Sequence, residues 1–148
     1  MQTHIKHLQP SDGHLFTQLI CLFEEVFEME QFILPETVHL QQVLGRPDFI
    51  AFAVLREGTV IAGLTAHVLP SYYTASAEVY LYDLAVQPVH QRKGLGRALL
   101  NSLEDYCRTK GYPSFFVQAD QADTHALDFY RSTGGVSSEV VQYTYFIK

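Results

Sequence analysis

A layered α/β (α+β) domain with a mixed, mainly antiparallel central sheet is predicted by three features of this 148-residue chain. β-Branched and aromatic runs recur along it, segments with leucines at helical spacing lie between some of them, and glycine- or proline-containing turns mark the boundaries. Runs joined by a tight turn pair antiparallel and runs joined through a helix pair parallel, so the sheet must be mixed.

From the amino terminus, "THIKHLQ" reads as a first strand and "SDGHLFTQLICLFEEVFEMEQF" as an amphipathic helix opened by Ser11 or Asp12. "PETVHLQQVLG" is a second, short helix that starts with Pro35 and ends on Gly45. "DFIAFAVLREGTVIAGLTAHVLP" divides at Glu57-Gly58 into two β-rich halves and reads as a hairpin. "AEVYLYDLAV" continues the sheet, and "GRALLNSLEDYCRTKG" is a helix stopped by Gly111 and Pro113. "SFFVQAD" is another strand, "DTHALDFYRSTGG" a short helix, and "SEVVQYTYFIK" a last, alternating strand. The predicted order is β-α-α-β-β-β-α-β-α-β, in one domain over residues 1–148.

Composition restricts the function. The net charge of −6 argues against a nucleic-acid partner, because phosphate backbones need clustered surplus cations and the local cluster is only Arg92, Lys93 and Arg97. A small basic spot in an acidic protein suits a small anionic ligand, and the acidic remainder suits a cationic one. Cys21 and Cys107 lie among apolar residues on helix faces and read as buried, reduced thiols, consistent with a cytoplasmic protein. No stretch has the apolar core of a signal peptide or the length of a membrane span. The seven histidines show no metal-ligand spacing, so no metal is expected, and His67 reads as a packed residue. The oligomeric state is open, a homodimer included.

The chemistry concentrates in "QRKGLG", residues 91–96, where a strand turns into a helix. Gly94 and Gly96 remove side chains where the backbone would approach a ligand, and the first helical N–H groups are unpaired donors at the positive end of the helix dipole. A pyrophosphate suits that place. A Walker loop would require a GK[ST] ending, and a dinucleotide fingerprint would need a third glycine where Leu99 stands.

The surrounding pattern resembles the GNAT superfamily of acetyl-coenzyme A dependent N-acetyltransferases, over about Ala53 to Gly135. The family's Q/R-x-x-G-x-G/A motif matches Gln91, Arg92, Lys93, Gly94, Leu95 and Gly96, and its A-x-x-F/L-Y-x-x-x-G pattern matches Ala126, Phe129, Tyr130 and Gly134. "AHVLP", "EVYLYDLAV" and "FVQAD" are similar to segments of the type I aminoglycoside 3-N-acetyltransferases. The resemblance implies a sheet splayed between its fourth and fifth strands. It also implies a pantetheine arm paired with the backbone of Leu84, Ala85 and Val86, a pyrophosphate held by N–H groups from Arg92 through Arg97, and Tyr130 as general acid. Asp123 stands where relatives often carry an asparagine near the cofactor arm, and it equally suits a helix cap.

The proton acceptor is less determined. Period two puts Glu78, Tyr80, Tyr82 and Leu84 on one face of their strand and Val79, Leu81, Asp83 and Ala85 on the other. Relatives place ionisable, proton-relaying residues at the positions of Tyr80 and Tyr82; both are tyrosines here, which leaves Tyr80 a catalytic candidate and Tyr82 a substrate contact and moves the direct base to Glu78 or Asp83, the latter facing the wrong way unless a bulge intervenes. Asp120, at a strand's end, suits an ammonium group, and Glu24 and Glu28 share a helix face as further candidates for a cationic substrate. The expected activity is direct acetyl transfer to a primary amine, preferably the 3-amino group of an aminoglycoside. The alternatives are a polyamine, amino acid or protein amine as acceptor, or a non-catalytic acyl-coenzyme A sensor.

Overall fold

The computed structural model describes residues 2–148 and contains two compact units, Met1–Gln118 and Ala119–Lys148, which are described separately. In the larger unit the strands β1 (His4–His7), β2 (Phe49–Arg56), β3 (Thr59–Pro70), β4 (Ala77–Val86) and β5 (Phe115–Val117) form one sheet in sequential order. Pairings are antiparallel except β4 with β5, which is parallel because a helix joins them. The helices of this unit are α1 (Gly13–Val26), α2 (Thr37–Leu44) and α3 (Leu95–Lys110). No helix among the described residues is long and apolar enough to cross a membrane.

The β2–β3 turn follows its sequence: Glu57 and Gly58 both have positive φ, 51° and 78°, as a two-residue turn matched to strand twist requires. One face of the sheet carries small residues, Ala51, Ala53, Gly63 and Ala85, which allow α1 to approach closely. A Cβ on Gly63 would collide with Leu19 of α1 and stand 2.7 Å from the Phe52 carbonyl oxygen. On the opposite face α3 buries Leu99 and Leu103 fully, and its Tyr106 ring meets His7 and Phe52 edge-on. The sheet is therefore the middle layer of three.

Before α1, Asp12 is buried and accepts hydrogen bonds from Lys6 Nζ and the Gln9 backbone N–H, both 2.7 Å. Burial alone would raise its pKa, but these donors outweigh that and hold the carboxyl below its ordinary value.

Three expectations are corrected. The first helix ends at Val26 rather than near Phe32, and Glu28 (φ 52°) and Gln31 (φ 55°) turn the chain away from helical geometry. Glu24, Glu25, Glu28 and Glu30 would otherwise crowd the negative end of the helix dipole. Cys21 is exposed, on the side of α1 away from the sheet, whereas Cys107 is buried. In the smaller unit, α4 (Thr124–Ser132) forms as expected, but "SEVVQYTYFIK" joins no strand among the described residues. Alternation alone makes no strand, because each strand also needs a partner for its ladder bonds.

Candidate active site

The turn between β4 and α3 has the backbone of an anion cradle. Gly94 caps α3 with φ 80°, and Arg92 also takes a left-handed conformation, φ 61°, which costs a non-glycine residue about 1–2 kcal/mol. The first turn of α3 leaves backbone N–H groups of Leu95, Gly96 and Arg97 without helical acceptors. A Cβ built on Gly94 meets nothing within 4 Å, so the space over the turn is open to a ligand. Arg92 and Lys93 are exposed beside it. These features fit a pyrophosphate. Gln91 plays a local part, donating from Nε2 to the Val86 carbonyl at 3.1 Å and tying the turn to the strand end.

Among the described residues β4 pairs with β5 only over Val79–Phe115, Tyr80–Phe116 and Leu81–Val117, and then runs on to Val86 without a strand neighbour on that side. The stretch containing Leu84, Ala85 and Val86 therefore lies along the opening. An extended ligand could pair with its backbone there as an added strand does.

A bulge in β4 alters which side chains share a face. Thr65 pairs with Asp83 and Ala66 with Leu81, so Tyr82 is the extra residue. Strict alternation is thus overturned: Asp83 joins Tyr80 and Glu78 on the face that β3 lines with Thr65 and His67, while Leu84 passes to the other. Register then sets Phe49 of β2, His67 of β3, Tyr80 of β4 and Phe116 of β5 in one row across four strands. The rings touch in sequence, Phe49–His67 at 5.3 Å, His67–Tyr82 at 5.6 Å, Tyr82–Tyr80 at 5.4 Å and Tyr80–Phe116 at 4.6 Å. Tyr80 donates its hydroxyl to Gln118 Oε1 at 2.6 Å, and burial, with Tyr82 and Asp83 adding to it, raises its pKa. A phenol so held is a poor base and a good wall.

A cavity of about 240 Å³ opens on this row, lined by Thr65, His67, Tyr82 and Asp83 from the sheet and by Phe16, Ile20 and Phe23 of α1, with Met29, Val43 and Phe49 completing it. Drug-sized ligands occupy about 300–1,000 Å³, so this volume suits one ring of a larger molecule. Asp83 is half-buried in it. Burial pushes its pKa up, partly offset by His67, so its carboxylate is a stronger proton acceptor than an exposed aspartate.

Other expected residues lie elsewhere. Glu78 is exposed near the start of β4 and does not line the cavity. Glu24 is half-buried on α1 and Glu28 lies past the helix end, so the two no longer share a helical face. In the smaller unit Asp120 accepts from the Ala122 backbone N–H at 2.9 Å, closing a local turn, and Asp123 caps α4 by accepting from Ala126 N–H at 3.0 Å. Tyr130 is half-buried on α4 with its ring edge-on to Phe129. His67, Phe16 and Phe49 were not expected as site residues. The one available signal was His67 sharing period two with Thr65 on the hairpin.

Comparison with known proteins identifies the family. The Acetyltransferase (GNAT) family profile matches residues 15–134. An aminoglycoside acetyltransferase, meta-AAC0020, from an uncultured soil metagenomic sample superimposes with a TM-score of 0.96 at 42% identity, covering 99% of this chain and 97% of that one; its structure contains trehalose. A second structure of that enzyme, at 41% identity, contains sisomicin. Among curated relatives, a mycothiol acetyltransferase of Renibacterium salmoninarum is 38% identical over 68 residues, 46% of this chain. The [ribosomal protein bS18]-alanine N-acetyltransferase of Escherichia coli is 37% identical over 57 residues, 38% of this chain. The matches span 20% and 38% of those two proteins.

Proposed function

The chain belongs to the acetyltransferase (GNAT) family, and from that premise we propose that it transfers acetyl from acetyl-coenzyme A to a primary amine, preferably the 3-amino group of an aminoglycoside. The observation that carries the acceptor class is the cavity: a carboxylate with a raised pKa set in a wall of aromatic rings. Ring faces attract ammonium groups and pack against the apolar faces of sugars, while Asp83 takes the proton that an ammonium must lose before its nitrogen can attack. The aminoglycoside acetyltransferases similar over nearly the whole chain support the same class.

The turn at residues 91–97 holds the pyrophosphate, and the open side of β4 at Leu84, Ala85 and Val86 takes the pantetheine arm. Acetyl passes from the thioester sulfur to the amine nitrogen. Tyr130 supplies the proton to the departing thiolate.

Gly94→Val tests the cradle. A β-branched residue opposes φ 80° and puts carbon where the phosphate would lie, so the acetyl-coenzyme A KM should rise about tenfold or more, the loss of one or two charge-assisted hydrogen bonds. The strained φ should also lower the thermal midpoint by a few degrees, the effect of about 1–2 kcal/mol, so the KM is read well below that midpoint. An unchanged KM would remove the cofactor from this turn.

Thiol release across an amine panel, with the product mapped by NMR, tests the acceptor. Aminoglycosides should be acetylated at the 3-amino group, and their KM should rise with salt as the Debye length falls from about 10 Å at 0.1 M to about 3 Å at 1 M. Inert aminoglycosides beside a peptide or monoamine acetylated without salt dependence would overturn the aminoglycoside reading and leave a protein- or small-amine acetyltransferase.

A further inference from the structure

The cavity beside Asp83 holds a second polar group that proton removal alone leaves idle. Its polar side chains are Thr65, His67, Tyr82 and Asp83, and α1 covers them with Phe16, Ile20 and Phe23. Thr65 pairs directly with Asp83, and His67 follows it two residues on, on the same face of β3. Diagonal neighbours of this kind stand about 7–8 Å apart, so two side chains leaning into the cavity can hold one nitrogen between them at about 3 Å each.

His67 is fixed by ring contacts and open in its hydrogen bonding. Its ring meets Phe49 at 5.3 Å and Tyr82 edge-on at 5.6 Å, and among the described residues its imidazole makes no hydrogen bond. Asp48 is the other carboxylate near it, but both oxygens of Asp48 accept from Arg46, at 2.9 and 3.0 Å. A half-buried imidazole held by rings and left without a polar partner is one that a ligand can satisfy.

An ammonium nitrogen carries three N–H donors. Once Asp83 removes one proton, two N–H bonds and a lone pair remain, and an acceptor fixed on one of those bonds sets where the lone pair points. Neutral imidazole has one acceptor nitrogen, and protonated imidazole has none.

We propose, resting on the aminoglycoside reading of this cavity, that neutral His67 is the second contact of the reacting amine, accepting one N–H of the nitrogen that Asp83 deprotonates. Asp83 takes the proton, and His67 orients the nucleophile. Of the elements around His67, β4 presents Asp83, Tyr80 and Tyr82, the approach to β2 presents Asp48, and α1 carries Glu24 one turn beyond Ile20. Protonation of His67 removes the acceptor and sets a positive charge beside an ammonium, so the amine is held less well as pH falls.

Steady-state kinetics with gentamicin at saturating acetyl-coenzyme A provide the test. His67→Leu should lower kcat/KM for gentamicin about 10–100-fold, the loss of one hydrogen bond to a charged group, with the acetyl-coenzyme A KM unchanged. His67→Gln, whose side-chain oxygen accepts a hydrogen bond, should recover most of that loss and decline less steeply on acidification than the wild type. A histidine that served only to pack would favour leucine over glutamine in so apolar a wall. Wild-type kcat/KM in His67→Leu, or a His67→Gln no better than His67→Leu, overturns the proposal. If His67→Leu fails to fold, the acid limb of His67→Gln decides, and a limb as steep as the wild type's overturns it. Asp83→Asn separates the two ways of failing. A normal His67→Leu beside an impaired Asp83→Asn removes only the His67 contact, whereas two normal variants, or gentamicin left unacetylated, remove the aminoglycoside site and this contact with it.

Discussion

Asp83→Asn should lower kcat by about 10²–10³-fold while leaving the acetyl-coenzyme A KM nearly unchanged, the loss expected when a positioned general base is replaced by its isosteric amide. The shape of the cavity and the contacts of His67 and Tyr82 survive the substitution, so a fall in kcat reports chemistry rather than packing. The pH profile separates the two further. Because burial raises the Asp83 pKa, its carboxyl is protonated over a wider acid range, and wild-type kcat should fall as pH drops through that raised value. Stability runs the other way. A carboxyl whose folded pKa exceeds its unfolded one favours folding most when protonated, and that contribution is lost as pH rises through the folded pKa. The protein should thus lose activity on mild acidification before it loses structure, and Asp83→Asn should show neither the acid limb nor this stability gain. An unaltered acid limb in Asp83→Asn would assign the proton acceptor elsewhere, with Glu78→Gln the next variant to measure.

The route to Asp83 marks the boundary of what the chain reveals on reading. An aspartate in a strand as apolar as "VYLYDLAV" already signals a purpose, but period two sends it to the α3 side of the sheet. Only the register against β3, where Tyr82 is skipped, turns it toward the cavity, and no single-strand pattern encodes a cross-strand pairing. Where signals are local they were legible: Glu57-Gly58 must turn, Gly45 ends the second helix, and Asp123 can cap α4 with its own side chain. The helix end at Val26 was hidden because apolar spacing continues through Phe27 while the glutamates act against the dipole. The last strand was overread for the opposite reason. Its alternation is sound, but a partner strand is a property of the assembly, not of the segment.

Tyr130→Phe carries the second large effect. The substitution deletes one hydroxyl and keeps the ring, whose edge-on contact with Phe129 at 5.1 Å needs no oxygen. Asp123 at the start of α4, and the Gly135 N–H that donates to the Tyr130 carbonyl at 2.9 Å, likewise fix the helix and its exit without the hydroxyl. Gly135 is irreplaceable there, since a Cβ would stand 2.9 Å from that same oxygen. If the hydroxyl protonates the leaving thiolate, kcat should fall about a hundredfold with little change in either KM. Leaving-group dependence makes the test specific. An acetyl thioester of a more acidic thiol departs without help, so Tyr130→Phe should be much less impaired with it than with acetyl-coenzyme A, whereas Asp83→Asn should be impaired with both, because amine deprotonation does not depend on the thiol. A Tyr130→Phe enzyme that turns over acetyl-coenzyme A like the wild type would remove the tyrosine from the reaction, and an equal loss with both thioesters would make it a positioning residue instead.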